Sequence, residues 1–281
     1  MKINEALDQW LVVSGVGKKP RTQKYHVEIV GTIRRLWPGD CDAAAESVTD
    51  QVLTEFISRI ARFSATRFNA IVSALKLALP AARLLKRRPV RVKERPLLSQ
   101  LEFSRLLDEL DHRPQSHAGL VIRFLAHTGL RINEARQLLW SDVQDDFILA
   151  PGRITKTGRP RGIPFVNGLA ETLAALRAIA GADRLVCPQA DCKRSLQTAC
   201  RRAGLPRLSH HDFRHLFATR CIQSRVDLPT VARWLGHSDG GALLAKTYYH
   251  LADEHSRKMA AKVEIGVEEP HVREISLQFE I

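Results

Sequence analysis

Residues 209–220 read SHHDFRHLFATR, residues 231–238 read VARWLGHS, and residues 246–251 read KTYYHL. Ser209 with Asp212 three positions on is a capping pattern, and it predicts a helix running to about Gln223. His211 and Arg214, three apart, then take adjoining positions on one face near the start of that helix. Pro229 suits the first turn of a helix Thr230–Leu235 that Gly236 ends, which leaves His237 at a helix C-terminus. A further helix is expected to hold Tyr248 and continue towards Ala261.

Upstream, Ser99 and Glu102 form a capping box that opens a helix through Leu110. Helical spacing resumes from about His117 to His127. The stretch HTGLRINEARQL (127–138) then puts Arg131 just past a glycine turn and at the start of another helix. Phe147–Leu149 and Gly162–Val166 are short and strand-like. Between them RITKTGRPR (153–161) has the chemistry of a hairpin, with Gly158 near the tip and Lys156 on its rising arm. Ala170–Ile179 reads as a helix. Arg273–Ile281 alternates apolar and polar residues, as a strand does.

The N-terminal third is helical throughout. Ala6, Leu7, Trp10 and Leu11 form one stripe, stopped by Gly15–Pro20. Val27, Val30, Ile33 and Leu36 mark a second helix from about Thr22 to Leu36. Val52, Leu53, Phe56, Ile57 and Ile60 mark a third, and Phe68, Ile71, Val72 and Leu75 a fourth from about Ser64 to Leu79. Residues 86–96, KRRPVRVKERP, combine two prolines with dense positive charge and read as an exposed linker. The expected organisation is a helical domain over 1–85, a basic linker over 86–96 and a second domain over 97–281, whose tail is given a role in exchange by the family resemblance described below. The fold class is mostly α with a small β-hairpin in the C-terminal domain (α+β).

The chain of 281 residues carries a formal charge of +13. Such an excess attracts polyanions, nucleic acid first among them. Lys18, Lys19, Arg21, Lys24, Arg67, Arg87, Arg88 and Arg91 are the candidate contacts to DNA phosphates. No apolar run approaches the roughly 20 residues of a membrane span, and MKINEALDQWLVVSG opens like an amphipathic helix, not a signal peptide. The five cysteines, with no secretory signal, point to reduced thiols and a cytoplasmic, nucleoid-associated protein. Cys187, Cys192 and Cys200 match no common zinc spacing. No metal and no cofactor is expected.

Taken singly, each candidate has an ordinary account: Arg131 could pair with Glu134 or Asp142, Lys156 could be a turn lysine, and His237 could cap its helix. Taken together they suit cleavage of a phosphodiester by tyrosine. A free phenol, with a pKa of about 10, is ionised in only around one molecule in a thousand at neutral pH. His211 fits the role of base. Arg131 and Arg214 present forked donors to the equatorial oxygens of the transition state. Lys156 could protonate the leaving oxygen and His237 could add a donor. Nothing in this set calls for a metal.

In their order and contexts, HTGLRINEARQL, ITKTGRPRGIPF (154–165), HDFRHLFATR, LGHS and KTYYHL resemble the tyrosine site-specific recombinases, the phage integrase family. The resemblance covers about residues 120–255. It implies Arg131, Lys156, His211, Arg214 and His237 as the catalytic set and Tyr248 as nucleophile, because in the family that tyrosine stands two residues before a histidine, here His250. Tyr249 would be a packing residue. The resemblance also implies a core-binding N-terminal module, a C-shaped clamp on double-stranded DNA, and a 3′-phosphotyrosyl intermediate formed without ATP or metal. A tetramer on two paired sites is implied too, with room for an accessory or directionality factor. Two rivals share parts of this pattern: a silent DNA-binding protein of the same fold, and a type IB topoisomerase.

Overall fold

In a computed structural model, residues 1–90, 97–112, 117–188 and 191–237 are described. The chain divides into two compact units, Met1–Glu94 and Arg95–Ile281.

The first unit is built from α1 (Ile3–Gly15), α2 (Pro20–Leu36), α3 (Asp50–Ile60) and α4 (Ala65–Ala78). Local chemistry sets the starts. Pro20 occupies the first turn of α2, and the hydroxyls of Thr49 and Ser64 accept the Val52 and Arg67 backbone N–H groups at the heads of α3 and α4. Apolar stripes at helical spacing close the core, with Leu7, Ile33, Phe56, Ile60, Ile71 and Leu75 all fully buried. Each such side chain contributes roughly 1.5–3 kcal/mol by leaving water. One residue departs from the expected stripe. Val27 is 57% exposed, and α2 instead buries Ile29, Val30, Thr32 and Ile33. The i, i+3 series through Val27 runs off the face that α1 and α4 cover, because 3.6 residues per turn rotates it away.

The basic run after α4 begins as part of this unit. The Asn69 side chain accepts the Arg88 backbone N–H at 2.7 Å and donates to the Arg88 carbonyl at 2.8 Å. The Arg88 guanidinium stacks 3.9 Å over the Phe68 ring and donates to the Ala61 carbonyl.

The second unit is arranged around α6 (Ala118–Thr128), which buries residues on nearly every side. Against it pack α5 (Gln100–Asp111), α8 (Leu169–Ala180) and α10 (His210–Gln223). Helix α9 (Lys193–Arg202) packs on α5, and α11 (Leu228–Leu235) on α10. A four-residue helix, α7 (Ile132–Ala135), follows α6. Strands β1 (Phe147–Ala150) and β2 (Arg161–Pro164) pair antiparallel, with Phe147 opposite Pro164 and Ala150 opposite Arg161. The fold is thus mostly helical with one small two-stranded sheet. Helix α9 escaped the sequence reading: KRSLQTACRR buries only Leu196, Ala199 and Cys200, too few apolar positions to announce a helix.

The pairing register leaves residues 151–160 as a ten-residue loop between β1 and β2. Lys156 therefore stands in that loop, exposed, and not on a strand arm. Thr155 closes the turn, its hydroxyl donating to the Gly152 and Arg159 carbonyls.

Candidate active site

The C-terminal end of α11 precedes His237 and takes hydrogen bonds from Arg214 and Arg161. A helix leaves its last four carbonyls without intrahelical donors. Here all four are satisfied. The His237 backbone N–H donates to Ala232 at 2.9 Å and that of Gly236 to Arg233 at 3.0 Å, the paired bonds of a Schellman ending. Gly236 adopts φ +68°, open to glycine and costly for other residues. Arg161 Nε donates to the Trp234 carbonyl at 2.8 Å, and Arg214 Nη2 to that of Leu235 at 2.6 Å. Both guanidiniums lie at the negative pole of the helix, where cations are favoured.

These two arginines tie that helix end to the turn carrying Arg131. Arg214, 4% exposed on α10, also donates through Nη1 to the Gly129 carbonyl at 2.9 Å. Gly129 has φ +61°, and a Cβ there would stand 2.6 Å from Phe217 and 2.7 Å from Leu235, so the close approach requires glycine. Arg161 reaches Glu134 Oε2 at 2.6 Å. Glu134, 1% exposed, in turn accepts the Arg131 backbone N–H and its Nη1, each at 2.9 Å. Burial alone would raise the Glu134 carboxyl. The hydrogen bond and charge of Arg161, helped by Arg131, outweigh it and hold the group below the ordinary carboxylate range.

Arg214 is thus bonded to the helix end that His237 follows, and Arg131 is linked to that end through Glu134 and Arg161. His211 is one turn before Arg214 on α10 but exposed, its ring 4.9 Å from that of His215 in an edge-to-face contact. The predicted start of α10 is observed, with the Asp212 carboxylate accepting the Ser209 backbone N–H and hydroxyl at 2.7 Å each. Lys156 stands on the loop whose next residue, Thr157, shares the wall of a recess with His237. Tyr248, Tyr249, their expected helix, the Arg273–Ile281 strand and Arg91 lie outside the described residues.

Arg161 was not singled out from the sequence. Its role depends on partners 27 and 73 positions away, Glu134 and Trp234, which no local pattern reports. Among the candidate DNA contacts, Lys18, Lys19, Arg21 and Lys24 are exposed at the head of α2, and Arg87 is exposed after α4. Arg67 is half-buried and turned inward, donating to the Thr32 hydroxyl at 2.9 Å and lying 5.3 Å from the Tyr25 ring centre. Arg88 is held as described above. The cysteines Cys187, Cys192, Cys200 and Cys221 are buried and Cys41 half-buried. Burial pushes the Cys187 thiol up to about 12 and that of Cys192 to about 11, which keeps both protonated. No helix among the described residues is long and apolar enough to cross a membrane.

The chain is 29% identical over 155 residues to tyrosine recombinase XerA of Saccharolobus solfataricus, covering 53% of this chain and 51% of that one. It is 28% identical over 183 residues to tyrosine recombinase XerD of Chlamydia trachomatis, covering 56% and 58%. The matched stretch spans about half the length of these curated relatives. Among solved structures, a lambda integrase dimer bound to a core site superposes with a TM-score of 0.72 at 20% identity, over 85% of this chain and 96% of that one. The Tn1549 transposon integrase in complex with transposon right-end DNA gives 0.75 at 14% identity, over 92% and 100%. The sequence model of the phage integrase family matches residues 96–255, and the chain belongs to that family.

Proposed function

We propose that this protein cuts and rejoins double-stranded DNA at specific sites through a 3′-phosphotyrosine intermediate. The observation that carries the reading is the bonding of Arg214 to the end of α11, which His237 follows, and the link of Arg131 to it through Glu134 and Arg161, within the segment that matches the family. In the reaction the Tyr248 oxygen attacks the scissile phosphorus and the bond to the 5′-oxygen breaks. His211 takes the phenolic proton, and Lys156 returns one to the leaving 5′-oxygen. Arg131 and Arg214 neutralise the non-bridging oxygens, with His237 as a further donor. A 5′-hydroxyl from a second strand then reverses the sequence, so bond energy is conserved and neither ATP nor a metal is needed. The first unit serves as a core-binding module, its exposed lysines and arginines on phosphates, and four copies act on two paired sites. An accessory or directionality factor fits this scheme, as does a nucleoid-associated location.

The decisive experiment uses a nicked suicide substrate that traps the covalent adduct. Wild-type protein should give a denaturant-resistant complex, Tyr248→Phe none, and Tyr249→Phe the wild-type amount. An adduct that survives Tyr248→Phe refutes the assignment. Arg131→Ala and Arg214→Ala should each slow adduct formation about 10²–10³-fold, the scale of losing a transition-state donor. Absence of any wild-type adduct would favour a silent DNA-binding protein. Relaxation of plasmids lacking a specific site would favour a type IB topoisomerase.

A further inference from the structure

Beside this helix end lies a recess of about 280 Å³, bounded by the β1–β2 loop, the start of β2 and α11. Its rim carries Arg159, Arg233 and His237, and Pro160 and Pro229 line it as well. Arg161 forms a wall, with Gly236 close against its stem: a Cβ on Gly236 would be 2.9 Å from Arg161 Cδ. The Arg161 guanidinium is turned away, onto Glu134 and the Trp234 carbonyl, and its charge is balanced there. Among the described residues no carboxylate lines the recess. Arg159 and Arg233 border that space, and the Asp227 carboxylate at the head of α11 lies within electrostatic reach of Arg233. Arg159 and Arg233 are exposed, and one Arg233 nitrogen donates to the Thr230 hydroxyl at a long 3.4 Å.

Resting on the recombinase reading, we infer that this recess holds one nucleotide of the DNA strand beside the phosphate that reacts. Its phosphate sits between Arg159 and Arg233, and its deoxyribose lies against the rings of Pro160 and Pro229. The chemistry matches on both counts: forked guanidinium donors suit phosphate oxygens, and proline rings suit the apolar face of a sugar. Spacing agrees as well. One strand carries a phosphate every 3.4 Å or so of helix axis, so a strand delivering its scissile phosphate to His237 must pass a neighbouring phosphate over the adjoining surface. Arg159 and Arg233 are binding residues in this account, distinct from the catalytic set.

The test is a series of duplexes in which single phosphates near the cut are replaced, one at a time, by uncharged methylphosphonates. Wild-type protein should lose about tenfold in affinity at one position flanking the cut. The Arg159→Gln, Arg233→Gln double variant should bind normal DNA about tenfold more weakly, and lose nothing further at that one position. Its slope of log K against log salt should be shallower by about 0.9, the value of one phosphate contact. Arg159→Lys with Arg233→Lys, which keeps the charge, should restore the slope and show that the glutamine variant acts through electrostatics and not misfolding. Equal methylphosphonate profiles for wild type and the glutamine variant would overturn the proposal. So would specific displacement of DNA by inorganic phosphate that the glutamine variant abolishes without that coupling, since the recess would then serve a free anion. Failure of the wild type to form an adduct on the nicked substrate would instead strike the recombinase reading itself.

Discussion

The two units bury different chemistry. Among the described residues, the first unit encloses apolar side chains and a single polar one, Thr32, whose hydroxyl bonds back to the Glu28 carbonyl. The second encloses Glu134, Asp142, Arg161 and Arg214 together with four threonines. Charges removed from water cost several kcal/mol each unless paired and hydrogen-bonded. The second unit meets that requirement by closing its charges on one another and on a helix end. A bundle can be assembled from stripes alone. On the recombinase reading proposed above, a site for a phosphate anion has to carry buried cations, and their partners become part of the architecture.

The contrast predicts that the units fail differently. The largest effect is expected from Arg161→Met, which leaves Glu134 with Arg131 as its remaining cation and strips the Trp234 carbonyl of its donor. A loss of about 3–5 kcal/mol is expected, the scale for breaking a buried pair. It should be confined to the second unit: denaturant unfolding followed by Trp140 and Trp234 should shift, and that followed by Trp10 and Trp37 should not. A shift at both would mean the units do not unfold separately.

Acid should act on the same pair with a smaller effect. Because the folded Glu134 carboxyl titrates below its ordinary value, its contribution is whole above the unfolded pKa of about 4.3. It is lost as the pH falls through the lower folded value. The second-unit tryptophans should therefore report acid destabilisation that Glu134→Gln largely removes. An unchanged acid profile in that variant would place the sensitivity elsewhere.

Gly236→Ala should follow, at about 1–2 kcal/mol from the left-handed backbone alone, with a further contribution from the 2.9 Å approach to Arg161. Adduct formation should fall along with stability, since His237 is displaced. In the first unit, Ile33→Val should cost about 0.5–1.5 kcal/mol, measured by the Trp10 and Trp37 transition. Smallest of all, Arg59→Ala removes an exposed ion pair with Glu55 and should cost under about 0.5 kcal/mol. A larger loss would point to its bonds with the Leu36 and Trp37 carbonyls.

What the sequence revealed follows the same division. Local rules located the capped start of α10 at Ser209, the glycine stop at Gly236 and the core of the first unit, because each depends on neighbours within one or two turns. Val27 went astray because spacing alone does not say which face of α2 will be covered. A turn signature predicts a strand arm for Lys156 but does not fix how far pairing extends, and here it stops at Ala150 and Arg161. Motifs in order mark Arg131, Lys156, His211, Arg214, His237 and Tyr248 as a set, but the physical link from Arg131 to Arg214 runs through Glu134, Arg161 and the α11 carbonyls, contacts made only on folding.

The completed end of α11 has a bearing on hydration. Each of its four terminal oxygens takes a donor from within the protein, so on the recombinase reading a nucleic acid backbone laid across this surface strips less water from them. On that reading the drying cost falls mainly on the cationic side chains, which would regain phosphate oxygens in exchange. A junction wired in this way is already prepared to lose its solvent before any strand arrives.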